Sequence, residues 1–186
     1  RSALSVAEQL GGDFPNLSES LSTLAHFLRD RNRYNEAEEH YSRLACFWEE
    51  KLGQEHPFMA GVYEKLADLY ALHARHEEAE ILYEQALLIR QRFESEQSLE
   101  LAQCLERLAL VKLGYGNFAG AERLLKRALH IKNLAHGANH LGVAATLHLL
   151  SGVHQWQGNR TDAETVAAHA KSIWSSQIHS PAVANV

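Results

Sequence analysis

Basic runs, membrane-length apolar stretches and closely spaced cysteines are all missing from the 186-residue chain. Lys and Arg number 18 against 23 Asp and Glu, a net charge of -5, so there is no basic footprint for a phosphate backbone and nucleic acid is not an expected partner. The longest apolar stretches, such as residues 108–111, fall far short of the roughly 20 residues that span a bilayer, and no membrane partner is expected. Cys46 and Cys104 lie 58 positions apart, a spacing that builds neither a zinc knuckle nor a disulfide framework; both read as reduced, buried thiols. With 46% hydrophobic residues the chain carries enough apolar side chain for a continuous core, and a soluble, cytoplasmic protein is expected.

What is present is a repeat. Laid against itself, the chain matches at a fixed offset of 42. Leu24-Ala25, Leu66-Ala67, Leu108-Ala109 and Leu150-Ser151 stand at that spacing, as do Ala37-Glu38, Ala79-Glu80, Ala121-Glu122 and Ala163-Glu164. Inside a unit the apolar positions are helical: Leu17, Leu21, Leu24 and Leu28, then after a break Ala37, Tyr41, Leu44 and Trp48. The spacing predicts two amphipathic helices per unit and no strands. The break falls on Asn32, Ala74, Gly116 and Gly158, and Gly or Asn suits the left-handed residue just past a helix end. Ala74 departs from that pattern: either it adopts the left-handed conformation at a cost of about 1 kcal/mol, or the second turn is capped differently.

Each unit opens on a helix-start signal: Asp13-Phe14-Pro15, Glu55-His56-Pro57, Gln97-Ser98 and Asn139-His140. Proline fits a first helical turn, and Ser98 and Asn139 offer capping oxygens. The expected units are 15–56, 57–98, 99–140 and 141–178, within a single domain over 1–186. Residues 1–14 read as the end of a preceding repeat, since Ala3-Leu4-Ser5-Val6 echoes Ala128-Leu129-His130-Ile131. Residues 179–186 read as the start of a following one, so the array is expected to continue in both directions.

The segment Leu66-Ala67-Asp68-Leu69-Tyr70, followed by His76-Glu77-Glu78-Ala79-Glu80-Ile81-Leu82-Tyr83-Glu84-Gln85-Ala86-Leu87-Leu88-Ile89, resembles the tetratricopeptide repeat (TPR). The family's usual period is about 34 residues, and the longer period here resembles the form found in kinesin light chains and many bacterial repeat proteins. The resemblance implies an all-α fold, a right-handed α-α superhelix or solenoid of tandem helix-turn-helix repeats, with the first helix of each pair lining the inner surface. It further implies a non-enzymatic scaffold or adaptor that binds a peptide or a partner helix in the concave groove. Small residues recur where paired helices approach, Ala25, Ala67, Ala109 and Ser151 against Ala37, Ala79, Ala121 and Ala163. Enlarging one to Leu is expected to overpack by roughly 1–3 kcal/mol.

Beside the apolar face of each first helix runs a stripe: Glu19, Ser22, His26 and Arg29; Gly61, Glu64, Asp68 and Ala71; Gln103, Glu106, Leu110 and Leu113; Ala145, His148, Gly152 and Gln155, next to Trp156. A further column holds Thr23, Lys65, Arg107 and Leu149. The candidate groove residues taken from these are Ser22, His26, Arg29, Lys65, Asp68, Arg107, Leu110, Leu113, His148 and Trp156. Family members that grip a peptide carboxylate carry Lys, Arg and repeated Asn on this surface; Lys65 and Arg107 match the basic part, but no Asn stands in either column. The apolar upper half, Leu110, Leu113, Ala145, Leu149 and Trp156, suits an apolar anchor on a bound peptide. Two plainer readings stay open: Leu113 and Trp156 pack against a following unit, and Lys65 and Arg107 only neutralise Glu64 and Glu106.

Catalytic constellations are not found. The histidine pairs His136/His140 and His73/His76 bring no Cys or carboxylate in a metal-binding arrangement. The glycine-rich stretch 114–120 follows a helix rather than a strand and lacks the Lys-Ser/Thr ending of a phosphate loop, so it reads as a turn. No enzyme activity, cofactor or metal is expected. Beside the adaptor reading stand a ligand-sensing regulatory segment of a larger protein, such as a transcription regulator, and self-association through terminal repeats.

Overall fold

The structure, a computed structural model, describes residues 33–178 together with Thr23, Phe27 and Arg31. The expectations for Ser22, His26, Arg29, the break at Asn32 and both chain ends lie outside the described residues. Seven helices and no strand form among the described residues: α1 (Tyr34–Leu52), α2 (Pro57–Leu72), α3 (His76–Phe93), α4 (Leu99–Gly114), α5 (Phe118–His136), α6 (Leu141–Trp156) and α7 (Arg160–Ile178). The shorter helices α2, α4 and α6 begin 42 residues apart, and so do α1, α3, α5 and α7. None of these helices is long and apolar enough to cross a membrane.

Among the described residues one hydrogen-bonded turn is built three times. The N–H of Arg75 donates to the Tyr70 carbonyl at 2.9 Å, that of Asn117 to Lys112 at 2.8 Å, and that of Asn159 to His154 at 2.9 Å. Each bond spans a left-handed residue, Ala74 at φ 56°, Gly116 at 84° and Gly158 at 80°. The arrangement satisfies a carbonyl that the helix end would otherwise leave without a partner. Ala74 therefore accepts the strained conformation; the turn is not rebuilt around it. The glycine-rich stretch around Gly116 is this turn.

Starts of the first helices are capped by side chains at positions 42 apart. His56 Nδ1 accepts from the Phe58 N–H at 3.2 Å, Ser98 Oγ from Leu101 at 3.1 Å, and His140 Nδ1 from Gly142 at 3.0 Å. The expected Asn139 cap is thus corrected to His140, because α6 begins at Leu141 and the capping residue is the one immediately before it. The sequence carries a second turn signal, which the repeat pattern does not show plainly. Gly53 (φ 84°, ψ 154°) and Gly137 (φ 82°, ψ 158°) end α1 and α5, in a region open essentially to glycine alone. They stand two repeats apart, and Ser95 at the intervening position hides the pattern.

The chain divides into two compact units, Arg1–Ile89 and Arg90–Val186. In the first, the rings of Trp48 and Phe58 meet at 4.8 Å between α1 and α2, and Tyr63 donates to Glu49 at 2.9 Å. Ala37, Ala67 and Ala79 have no exposed surface, as close helix approach requires. In the second unit one core cluster joins Ala109 of α4, Ala121 and Leu125 of α5, and Leu150 and Val153 of α6. Another joins Val143, Ala144 and Leu147 of α6 to Ala170 and Ile173 of α7. Burying each Leu, Val or Ile side chain contributes roughly 1.5–3 kcal/mol. Cys104 is buried as expected, but Cys46 is exposed: it shares the solvent face of α1 with Arg43 and Glu50, three residues before it and four after.

Candidate functional site

The first helices carry the candidate surface, and each unit presents its own part. In the first unit Lys65 is half-buried on α2. Asp68, one turn further on, accepts a hydrogen bond from the Tyr83 hydroxyl of α3, so its carboxylate is tied to the partner helix of its own pair. Glu64, on the same stripe, is buried. Around the turn that follows, Arg75 lies over the Tyr70 ring at 4.0 Å and bonds Glu38 of α1 at 2.9 Å and Glu78 of α3 at 3.0 Å. The Glu78 carboxyl is held below its ordinary value, first by its own backbone N–H and then by Arg75. Burial, reinforced by Glu38, pushes the Tyr70 phenol up. Burial and the bond to Glu49 do the same to Tyr63.

In the second unit the candidates separate into displayed and engaged residues. Leu110 on α4 is 48% exposed and Trp156, the last residue of α6, is 74% exposed. The Trp156 ring stacks on Phe118 of α5, with centroids 6.4 Å apart and planes within 5°, and Phe118 in turn packs on the core cluster. Trp156 is thereby held in place while most of its surface stays in water. His148 is exposed on α6, its ring 5.7 Å from that of Trp174 on α7. Arg107 is half-buried, and Leu113 and Leu149 are packed against the same core cluster as Phe118.

Glu106 shows what sequence reasoning missed. It lies on the groove stripe, yet its Oε1 accepts from Lys132 Nζ at 2.6 Å and from the Thr146 hydroxyl, while Lys132 Nζ also donates to the Gly142 carbonyl at 3.3 Å. Lys132 and Thr146 are both buried, so α4, α5 and α6 share one internal polar cluster. A signal was present: Glu64 with Arg90 and Glu106 with Lys132 occupy the same two repeat positions. Nearby, Glu122 is held below its ordinary value by hydrogen bonds from Lys126 and from Gln157, the latter at 2.8 Å. The rings of His136 and His140 stack at 4.1 Å, and among the described residues no group of three or more His, Cys, Asp or Glu is placed to hold a metal ion. What the described surface offers chemically is recognition, through aromatic and aliphatic area beside mixed charge.

Two tetratricopeptide repeat family models match the chain, one over residues 16–92 and 58–133 and the other over 143–175. No curated protein matches it in sequence. Among solved structures, BtubC (BKLC) from P. vanneervenii is similar at 26% identity and a TM-score of 0.86, covering 97% of this chain and 72% of that one. A Podosopora anserina structure of nearly identical TPR-like repeats of kinesin light chain type gives 22% identity and a TM-score of 0.84, over 96% of this chain and 85% of that one. MamA gives 16% and 0.66, over 90% and 84%. The last two likenesses speak to the fold alone. With repeat models matching most of its length, and its helices paired at a constant period, the chain belongs to the tetratricopeptide repeat family and has that family's all-α superhelical repeat fold.

Proposed function

We propose that this chain is a non-enzymatic scaffold or adaptor that recruits a protein partner, a peptide or a helix with an apolar anchor, on the surface of its first helices. Tetratricopeptide repeats in general mediate protein–protein interaction. The observation that carries the finer reading is Trp156, a 74% exposed indole stacked against Phe118. Aromatic side chains presented this way are where binding energy concentrates. Leu110 adds aliphatic area and Arg107 a cation on α4 of the same unit; Lys65 and Asp68 hold corresponding stripe and column positions on α2 of the other. In the second unit the reading rests on Arg107, Leu110, His148 and Trp156. The reading places the protein in the cytoplasm, without cofactor.

The test is capture of partners from a native lysate on the immobilised chain, identification of what is held, and titration of the purified partner against the parent, Lys65→Ala, and Arg107→Ala/Trp156→Ala. The double substitution is expected to weaken affinity by about tenfold or more, with unchanged circular dichroism. Equal affinity for parent and double variant rejects this surface.

A further inference from the structure

The outer faces of two second helices are complementary in charge. On α3 the residues Glu77, Ile81, Glu84 and Leu88 are all exposed and follow helical spacing, so they form one stripe. Ile81, 57% exposed, sits between the two carboxylates, and Leu88, 67% exposed, follows Glu84 on the same stripe, with Arg92 one turn beyond it. One repeat later, on α5, the corresponding positions are Ala119, Arg123, Lys126 and His130, also exposed, followed by the exposed Leu134. In a chain of net charge -5, α5 is the basic helix: it carries Arg123, Lys126, Arg127 and Lys132 against the single acid Glu122. Lys126 bonds Glu122 at 2.6 Å and remains largely in solvent.

We infer that this chain associates with a second copy of itself, the acidic and aliphatic stripe Glu77/Ile81/Glu84/Leu88 of one copy docking on the basic stripe Arg123/Lys126/His130/Leu134 of another. The argument for a second copy is that both halves of the complementary pair belong to the same chain. Carboxylates on one stripe meet cations on the other, while Ile81, Leu88 and Leu134 supply the apolar area that charge alone does not. An α3 stripe on one copy meeting an α5 stripe on another joins two different surfaces, so mass grows with concentration. Charges at such a rim govern encounter rate and make the association sensitive to salt. The inference is independent of the partner surface proposed for the first helices.

Sedimentation velocity on the full chain, from micromolar to hundreds of micromolar and at low and high salt, tests it. The parent is expected to gain mass with concentration, and to lose the gain at high salt. The reversals Arg123→Glu/Lys126→Glu and Glu77→Lys/Glu84→Lys are each expected to weaken association by about tenfold or more. An equimolar mixture of the two variants is expected to restore it, since the reversed stripes are again complementary. Ile81→Ser/Leu88→Ser removes the apolar part without changing charge and is expected to weaken it as well. A parent that stays monomeric throughout overturns the inference, even if α5 then captures an acidic peptide. So does association that survives the reversals, or a mixture that does not recover while each variant melts as the parent does.

Discussion

The Asn117 side chain accepts a hydrogen bond from the Gly120 N–H at 2.9 Å and occupies the space a β-carbon on residue 120 would need, which would stand 2.8 Å from Asn117 Oδ1. The cap and the glycine are therefore one feature. The two preceding repeats solve the same helix start differently, with Arg33 bonded to Glu36 at 2.6 Å and Arg75 to Glu78 at 3.0 Å in the corresponding positions. Gly120→Ala is expected to change stability by less than about 0.5 kcal/mol, because displacing the cap costs about 1 kcal/mol and alanine in a helix regains up to about 1. In an Asn117→Ala background the same substitution is expected to stabilise by close to 1 kcal/mol. Urea titrations of the four proteins in this cycle measure the coupling; additive effects would show the two residues to be independent.

Ala74 carries a left-handed conformation, φ 56°, where the next two repeats use glycine. Its hydrogen bonds are those of the glycine turns, so the strain lies in the backbone and not in a lost partner. Ala74→Gly is expected to stabilise by roughly 0.5–1 kcal/mol, the relief of strain exceeding the added freedom of the unfolded chain. Gly116→Ala and Gly158→Ala are expected to shift the thermal midpoint in the opposite direction.

The Lys132–Glu106 pair is internal, both side chains being mostly withdrawn from water. Lys132→Met leaves a carboxylate facing only Thr146, and a cost of about 3–5 kcal/mol is expected. Replacing both, Lys132→Met with Glu106→Leu, is expected to cost less than the single change, since no uncompensated charge remains. Denaturant midpoints of the three proteins decide it, and a double variant less stable than either single would contradict this account.

Carboxylates give the fold an acid limit. Glu122 is held below its ordinary value of 4.5 by Lys126 and Gln157, and Glu100 by its own backbone N–H and by Ser98. A depressed carboxyl binds its proton less readily when folded, so its contribution is present above about 4.5 and fades as pH falls through the lower folded value. Glu100 is exposed, and Glu122, its side chain 22% exposed, is paired with a lysine that lies largely in solvent, so the contribution of each is small. The stability gap between parent and Glu122→Gln is expected to be constant from pH 7 to 5 and to close below 4.5, as followed by urea midpoints across that range.

Much of the helical arrangement was legible in the sequence because the repeat writes local rules at fixed intervals. Apolar spacing marks the helices, and Gly116 and Gly158 mark a backbone conformation that needs no knowledge of distant residues. Ser98 is likewise a cap by virtue of the residues beside it. Less of the candidate surface could be read this way. A stripe of positions states which face a residue shares, but not whether a neighbouring helix reaches it. Glu106 lies on the same stripe as Leu110, yet it is claimed by residues 26 and 40 positions away while Leu110 is left in water.

By itself, then, the sequence determined the period, the helix pairs and the left-handed turns, because each depends on interactions within a few residues along the chain. Only the tertiary structure decided that Glu106 turns inward to Lys132 and that Trp156 is steadied on Phe118 while remaining exposed. Those outcomes depend on how neighbouring helices pack, and which side chains that packing brings together is set by distance in space rather than by spacing along the chain.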